Sequence, residues 1–388
     1  MGKKNSLDIL MLSTFDKDAG GRETWLYNFL PELLKDDIFE CVNLYGFKTS
    51  QDSNHKKELL KLDPKIQDRK TLFPYILEGK ASRWPKVFSM FRALKRMPVK
   101  EISNNVLAMG VFEMVMVNRL TRYNKSKKIV WLRSIFLQEK AYAIPKILRK
   151  IFLRLEINQL KKADVLICNG DDIRDFYKQY DLDVHVIKNG VNIDKWTMPE
   201  PELNSPIRIA YIGRLSQVKG IEDFFKLAEK IKKGEHKDEF EFHVVGQNGA
   251  YKTQVEDLVN NNTILYHNVI SNDKLPEFLK SIDVCVALTY ASAEGGGGGT
   301  SNAMLEQMAA GRIMLAWDNV IFRQYLNEDN AYLAKQFELD ELQGNLLNIL
   351  LDKEIAFEKA KTGRECVRPY SVELNVEKFK YLIKNIDE

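Results

Sequence analysis

The chain has 388 residues, of which 45% are hydrophobic and 29% are charged. This length suggests about two domains that can each bury a core, and the composition excludes a wholly disordered chain. No run of about 18 apolar residues indicates a transmembrane helix, and the N-terminus lacks a signal-peptide pattern. The four cysteines lie far apart without CxxC spacing, which is typical of reduced thiols in a cytoplasmic protein.

The formal net charge of +4 conceals an uneven distribution. Residues 1–190 carry 35 Lys and Arg against 23 Asp and Glu, whereas the rest of the chain carries 23 against 31. Most of the excess lies in residues 51–162, where 26 basic residues face 9 acidic ones. This asymmetry predicts that the N-terminal half meets an anionic partner, the alternative being a basic face that is only solvated.

Strand and helix patterns alternate through the N-terminal half. An apolar run at 7–13 predicts a buried parallel strand, and a helix with an apolar stripe at 25–34 follows it. Further strands are predicted at 39–44, 105–107, 129–132 and 165–168. A strand, a glycine loop, a helix and a strand in this order form a βαβ unit.

The C-terminal half restarts the same pattern. Helices are predicted after Gly220, from Asn302 to Ala310 and in the tail from Tyr370 to Ile386, and strands at 207–212, 240–245, 263–266, 282–288 and 313–316. The sequence therefore predicts an α/β protein with two doubly wound, Rossmann-like domains, joined near residues 187–192.

Loops that open helices carry the candidate functional residues, because ligands of doubly wound sheets bind beyond the carboxyl ends of the strands. The loop from Gly213 to Gly220 places Arg214 and Lys219 beside a helix N-terminus. A guanidinium can bind two phosphate oxygens at once and an ammonium adds a second charge, so this loop suits a diphosphate. It lacks the GxxxxGK[ST] pattern of a Walker loop. An ordinary solvated loop is the alternative.

A run of glycines at 295–299 leads into the helix that contains Glu306. Such a turn lets backbone N–H groups approach a phosphate or sugar oxygen closely. Glu306 lies among small apolar neighbours, which is unusual for a solvated carboxylate. Hydrogen bonds from ribose hydroxyls would explain a carboxylate at this position. The alternative is a flexible loop followed by a residue that interacts with the helix dipole. The third such loop is Gly20-Gly21, before the first helix.

Five motifs follow one another along the chain: Gly-Gly-x-Glu at 20–23, Asn-Gly-Val-Asn at 189–192, Gly-Arg-x4-Lys-Gly at 213–220, Val-Val-Gly at 244–246 and Leu-Glu-x-Met-Ala-x-Gly at 305–311. Together they resemble the retaining glycosyltransferases of family 4, which have the GT-B fold. The resemblance spans nearly the whole chain and is strongest from 187 to 320.

The resemblance implies two domains that face a cleft. Residues 1–190 would form an N-terminal acceptor-side domain, with a helix of residues 370–388 that packs back on it. Residues 191–369 would form a C-terminal donor domain that binds a nucleotide sugar.

The resemblance also implies roles for individual residues. Arg214 and Lys219 would hold the donor diphosphate and stabilise its negative charge as the glycosidic bond breaks, and Glu306 would bind the ribose. Residues 268–270 would flank the nucleobase. The donor-binding residues implied in this way are Gly20, Gly21, Gly213, Gly246, Asn268, Val269, Ile270, Glu294, Thr300, Ser301 and Asn302.

The chain departs from the family pattern at two places. The family's paired glutamates lie eight residues apart, but Gly298 stands eight residues before Glu306. Glu294 supplies the first carboxylate if the glycine run is an insertion. The family often has a His at the end of an N-domain strand, where this chain has Arg133.

The segment from Lys80 to Arg96 mixes basic and aromatic residues, and a second basic segment runs from Pro145 to Lys162. A basic amphipathic helix rimmed by aromatic residues can lie on an anionic membrane surface. The alternative is that the apolar stripes of both segments face the core and their charges are merely solvated. The residues assigned to the acceptor or the membrane are Arg83, Trp84, Lys86, Arg92, Lys95, Arg96 and Arg133. Nucleic acid is not an expected partner, since no recognition motif accompanies the charge.

The leading interpretation is a metal-independent retaining glycosyltransferase of the hexosyltransferase type. It would transfer a sugar from a UDP-sugar or GDP-sugar, with UDP favoured, to a lipid-linked or polysaccharide acceptor in cell-surface glycan synthesis. No cofactor and no metal site are expected, because Arg214 and Lys219 would replace the charge of a metal. The expected location is cytoplasmic, with peripheral attachment to the inner membrane face.

Two other classes of protein are alternatives. A catalytically inactive GT-B-shaped binding or scaffold protein would explain the missing first glutamate and the missing histidine. A dinucleotide-dependent oxidoreductase would need GxGxxG after a strand, and neither Gly20-Gly21 nor Gly213 has that spacing.

Overall fold

The computed structural model describes residues 5–15, 21–36, 38–47, 57, 59–62, 72–77, 85–96, 103–136, 145–291 and 302–385. The chain divides into two compact units. Unit 1 comprises Met1–Gly190 and Val372–Glu388, and unit 2 comprises Val191–Ser371.

The described part of unit 1 contains one parallel sheet, with the strand order β3-β2-β1-β4-β5-β6-β7. The strands are β1 (Ser6–Thr14), β2 (Cys41–Phe47), β3 (Leu72–Leu77), β4 (Asn105–Ala108), β5 (Lys127–Leu132), β6 (Val165–Cys168) and β7 (His185–Val186). Strand β1 is buried from Leu7 to Met11, including the polar Asp8. Burial on both faces is what helices on both sides of a parallel sheet impose.

Helices cover both faces of this sheet. They are α1 (Gly21–Lys35), α2 (Pro85–Arg96), α3 (Val111–Arg119), α4 (Lys146–Leu160), α5 (Asp171–Lys178) and the last helix, α13 (Val372–Lys384). On one face α1 and α13 pack together, and the rings of Phe29, Trp131 and Phe379 lie with centroids 5.3–5.6 Å apart. On the other face Met90 of α2, Met114 of α3 and Leu160 of α4 enter a second core.

Unit 2 repeats the arrangement, with a parallel sheet in the described residues of strand order β10-β9-β8-β11-β12-β13. The strands are β8 (Ile207–Ile212), β9 (Phe240–Val245), β10 (Leu265–Tyr266), β11 (Val284–Ala287), β12 (Ile313–Asp318) and β13 (Tyr332–Lys335). The helices are α6 (Ile193–Trp196), α7 (Ile221–Lys232), α8 (Lys252–Asn260), α9 (Leu275–Lys280), α10 (Asn302–Ala309), α11 (Leu339–Leu351) and α12 (Lys353–Val367). Short 3₁₀ turns occupy Thr121–Tyr123, Gln217–Lys219, Gly249–Tyr251 and Arg368–Tyr370.

The predicted α/β class with two doubly wound domains is confirmed, with corrections to single strands. The strand predicted at 263–266 is only Leu265–Tyr266, because the N–H groups of Thr263 and Ile264 donate to the Leu258 carbonyl at the end of α8. The sequence also gave no prediction of the strands β3, β7 and β13. None of the described helices is long and apolar enough to cross a membrane.

Two glycines allow close packing where strands of unit 2 end. Gly220 has φ +72°, and a Cβ atom there would lie 2.2 Å from the carbonyl oxygen of Leu288. Gly246 has φ +152°, and its Cβ would lie 2.0 Å from the carbonyl oxygen of Gly213. Any other L-residue would have to push backbone away at both places. The two turns therefore depend on glycine for their shape.

We expect Gly246→Ala to lower the free energy of unfolding by at least about 1–3 kcal/mol, the cost of inserting a methyl group into packed backbone. The control is Gly344→Ala, since Gly344 lies in α11 with no atom within 4 Å of an added Cβ. That change should be neutral or stabilise by up to about 1 kcal/mol. Urea unfolding followed by circular dichroism measures both, and equal midpoints for the two variants would contradict the close packing at Gly246.

Candidate functional site

Three predicted donor-binding residues lie next to one another at the carboxyl edge of the unit 2 sheet. Gly213 follows β8, Gly246 follows β9 and Asn268 comes shortly after β10. The Gly213 N–H donates to the carbonyl of Val245 at 3.0 Å, and the Gly246 N–H donates to the carbonyl of Asn268 at 2.8 Å. The exposed Asn268 has φ +55°, a left-handed conformation that Asn tolerates better than most residues. The structure thus brings these three residues into one row.

The loop with the two predicted catalytic cations extends from this row. The buried Tyr211 hydroxyl lies 2.9 Å from the carbonyl oxygen of Arg214 and 3.3 Å from that of Lys219. One side chain of β8 therefore holds both ends of the loop. Gly220 then turns the chain into α7, so the loop lies at the N-terminal end of a helix, where the helix dipole favours an anion.

The two cations lie close enough to affect each other. Burial lowers the pKa of Lys219, and the positive charge of Arg214 lowers it further. Among the residues that the structure describes, neither side chain has a carboxylate partner. Two like charges held together without a counter-charge are electrostatically unfavourable, and a bound anion would remove that penalty. The loop can therefore hold a phosphate or diphosphate.

Glu306 forms a second polar cluster in the same unit. It lies on α10 with only 5% of its surface exposed, and the Asn272 amide donates to its Oε1 at 3.4 Å. Lys195 donates a hydrogen bond to the Asn272 side-chain oxygen and lies 3.7 Å from the Asp273 carboxylate. Burial raises the pKa of Glu306 to about 7, although the charge of Lys195 and the Asn272 hydrogen bond lower it in part. The carboxyl group is therefore poised between its two protonation states near neutral pH.

Lys195 and Asn272 were not among the residues predicted from the sequence. One local signal for Lys195 was available, because Asn192 at the end of the Asn-Gly-Val-Asn motif caps α6 by accepting from the Lys195 N–H at 3.1 Å. The buried Trp196 then fixes this short helix in the core of unit 2. Asn272 had no such signal. Its role follows only from its contact with Glu306.

The loop after β10 links the two clusters along the chain. It carries Asn268, Val269 and Ile270, the residues predicted to flank a nucleobase, and continues to Asn272. Val269 is 60% exposed, whereas Ile270 packs partly against the core. An exposed apolar side chain beside a hydrogen-bonded backbone offers a surface on which a flat ring can lie.

Gly21 on α1 and Arg133 just after β5 are two of the predicted residues of unit 1. Gly21 is the first residue of α1. The Arg133 guanidinium lies 4.9 Å from the centroid of the Trp25 ring, and its Nη1 is 3.3 Å from the Asn189 side-chain oxygen. Burial lowers the pKa of Arg133 to about 9, and the charge of Arg22 contributes to this shift. Arg133 is therefore held by contacts inside unit 1.

The other predicted residues lie on α2, at the start of α10 or outside the described part of the chain. Arg92, Lys95 and Arg96 lie exposed on α2, Lys86 lies in the first turn of α2, and Asn302 begins α10. The residues outside the described part of the chain are Gly20, Arg83, Trp84, Glu294, Thr300 and Ser301. In the described ranges, no three His, Cys, Asp or Glu side chains lie together in a way that could hold a metal ion.

The chain resembles known proteins in sequence over unit 2 and in structure over its whole length. Residues 206–352 match the family model of the glycosyl transferases group 1. This range contains the Arg214–Lys219 loop, the row at Gly213, Gly246 and Asn268, and Glu306. No curated protein matches the chain in sequence.

Three solved structures are similar along nearly the entire chain. Sucrose-phosphate synthase from Thermosynechococcus elongatus has a TM-score of 0.77 at 17% identity, with 99% of each chain covered. TarM of S. aureus has a TM-score of 0.75 at 13% identity, with 99% of each covered. HepE of Anabaena, in complex with UDP and glucose, has a TM-score of 0.73 at 13% identity, covering 98% of this chain and 99% of its own. At such identities the likeness shows the fold, and the predicted GT-B fold class is confirmed.

We expect the stability of Glu306→Gln relative to the wild type to increase with pH between about 4.5 and about 7. The wild-type carboxyl group resists ionisation when folded, since burial raises its pKa from 4.5 to about 7. Its ionisation therefore favours the unfolded state as pH rises, and the variant lacks this penalty. The difference should reach about 3 kcal/mol at most.

Urea unfolding of both proteins at a series of pH values measures this difference. The matched control is Glu358→Gln, because the Glu358 side chain is 74% exposed and loses little hydration on folding. If the difference in the free energy of unfolding between the wild type and Glu306→Gln did not change with pH, the pKa of Glu306 would not be raised in the folded protein.

Proposed function

We propose that the protein is a glycosyltransferase that moves a sugar from a nucleoside-diphosphate sugar to a hydroxyl group of an acceptor. The observation that carries this proposal is the pair Arg214 and Lys219, two cations without a described carboxylate partner at the edge of a parallel sheet. The match of residues 206–352 to the glycosyl transferases group 1 supports it, because the pair lies in that range.

The arrangement suits the charge that develops in such a reaction. The bond between the sugar C1 and the diphosphate oxygen breaks, a bond from C1 to the acceptor oxygen forms, and the acceptor proton passes to the departing diphosphate. Negative charge grows on the diphosphate as its bond breaks. Arg214, Lys219 and the N-terminal end of α7 carry positive charge before the reaction begins. Stabilising the negative charge of the diphosphate therefore requires little reorganisation of the protein.

Glu306 suits the sugar ring of the nucleotide. A carboxylate accepts hydrogen bonds from two neighbouring hydroxyl groups, and a ribose offers such a pair. Hydroxyl donors would favour the ionised form of Glu306, which burial otherwise disfavours. Asn272 and Lys195 hold the carboxyl group from the side of the protein.

The finer proposal is a retaining hexosyl transfer from a UDP-sugar, without a metal ion, to a lipid-linked or polysaccharide acceptor. The order of motifs like that of family 4 supports retention, and the UDP and glucose in the HepE structure support a uridine donor. The two cations support metal independence, because they provide charge that a metal would otherwise supply. The basic excess of residues 51–162 supports an acceptor that carries negative charge.

Arg214→Ala and Lys219→Ala should each lower turnover by about 10²–10³, the scale for loss of one preorganised group that stabilises developing charge. Release of UDP from UDP-sugars measures this without a known acceptor. Arg208→Ala is the control, since Arg208 is an exposed cation on β8 that pairs with Glu241 instead. Arg214→Lys should recover only part of the activity, because an ammonium cannot bind two oxygens in the manner of a guanidinium.

Wild-type turnover in both alanine variants would mean that the two cations are only surface charges. Tight UDP binding with neither hydrolysis nor transfer would instead favour the catalytically inactive binding protein.

The affinity for UDP should remain when EDTA removes divalent metal ions, because Arg214 and Lys219 would offset the charge of the diphosphate without a metal. Isothermal titration of UDP with and without EDTA measures this, and Lys219→Ala tests whether the cation carries the affinity. A strict requirement for Mg²⁺ or Mn²⁺ would refute the metal-free proposal while leaving nucleotide binding intact.

A further inference from the structure

Helix α4 has apolar residues on two opposite sides. One side enters the core of unit 1 through Ile157 and Leu160. On the other side Ile147 is 85% exposed, Ile151 55% and Leu155 53%. Residues four apart lie on one face of a helix, so these three form a continuous exposed apolar stripe. A surface helix normally presents polar residues there, and an exposed apolar patch of this kind marks a binding surface.

Helix α2 contributes to the same side of the unit. Both α2 and α4 contact α3, and the Asn118 amide of α3 donates to the Gln159 carbonyl of α4 at 3.2 Å. The three helices therefore form one layer on one face of the sheet. Phe88 of α2 is 63% exposed in this layer. We call the outward side of α2 and α4 the basic apolar surface.

The charges of this surface have one sign. Residues 85–96 contain four basic residues and no acidic one, and residues 145–162 contain six basic residues and Glu156 as their acidic residue. Glu156 is buried, Tyr177 donates a hydrogen bond to it, and burial raises its pKa to about 7. It therefore adds no exposed negative charge. A second copy that docked through this same surface would bring cations against cations, whereas an anionic surface complements them.

We propose that the basic apolar surface attaches the protein to an anionic lipid bilayer, with the exposed stripe of α4 entering the interface. The aliphatic side chains would lie at the boundary between head groups and acyl chains, and the flanking Lys and Arg would contact lipid phosphates. The membrane contact predicted from the sequence lies at Lys80 to Arg96, whereas the exposed apolar side chains lie mainly on α4. The proposal is independent of sugar transfer, because an inactive protein could bind the same surface.

Co-sedimentation of the full chain with vesicles tests the proposal. One set of vesicles contains phosphatidylglycerol and phosphatidylcholine, and the other contains phosphatidylcholine alone. Binding should require the anionic lipid and should weaken without vanishing between ionic strengths of about 0.01 M and about 1 M, where the Debye length falls from about 30 Å to about 3 Å. The vesicle binding that remains at high salt measures the apolar contribution.

The variant Ile147→Ser, Ile151→Ser, Leu155→Ser should weaken binding at least about tenfold and abolish the part that resists salt. The matched control changes three similarly exposed apolar residues elsewhere, Val320→Ser, Leu351→Ser and Tyr381→Ser, with exposures of 69%, 80% and 67%. The control should bind as the wild type does. Thermal unfolding and UDP titration check that all variants keep the fold, and the single change Ile147→Ser repeats the test with the most exposed residue.

A second pair of variants tests the charges. Lys150→Glu with Arg154→Glu should remove the preference for anionic vesicles, whereas Lys252→Glu with Lys361→Glu, both exposed in unit 2, should not. Equal binding to both lipids, no binding at low salt, or unchanged binding of the serine variant would overturn the proposal. So would a dimer in sedimentation velocity that the serine changes dissolve, or competition by RNA that removes all vesicle binding.

Discussion

The described strands of both sheets all pair in parallel, and this constraint decides where polar chemistry can lie. Parallel strands end on one edge and their crossover helices bury both faces, so side chains that are free to bind a ligand collect in the loops at that edge. In unit 2, Ile212 pairs with Val245, and Gly213 and Gly246 consequently meet just beyond the strands. A register shift of one residue would separate them and move every side chain of the shifted strand to the opposite face of the sheet.

Burial opposes charge at the main polar residues of both units. It lowers the pKa values of Lys219 and Arg133 and raises that of Glu306. Each shift means that the folded protein disfavours the charged form, which costs stability unless a ligand compensates. In the proposed donor site a bound nucleotide sugar would reduce both penalties. Its diphosphate would offset the cations, and its hydroxyl groups would stabilise the carboxylate. Perturbed pKa values of this kind are common at binding and catalytic sites.

The sequence predicted what local patterns determine. The apolar runs of β1 and β8 are long enough to be recognised as strands. Arg214 and Lys219 lie in one loop, so the local sequence is enough to predict that they act together. The strand β3 was missed because it contains Pro74, which a sheet tolerates at an edge position such as this one.

The cluster around Glu306 was found only in part, for a different reason. Asn272 lies 34 residues before Glu306, and Lys195 lies 77 residues before Asn272. No periodicity or spacing connects groups that far apart. They meet because α6, the loop after β10 and α10 pack together in three dimensions, and that packing is determined by the whole core of unit 2.

Helix α4 shows why packing also decides which face of a helix remains available. Its sequence offers apolar residues on two sides, and nothing in the pattern tells whether Leu155 or Leu160 faces the core. Once Leu160 is buried, the remaining apolar stripe raises the risk of self-association in water. The basic residues beside it oppose that outcome, because copies of unit 1 repel one another through the same charges that attract an anionic surface. One set of cations can thus keep the protein dispersed and direct its apolar stripe to a surface of opposite sign.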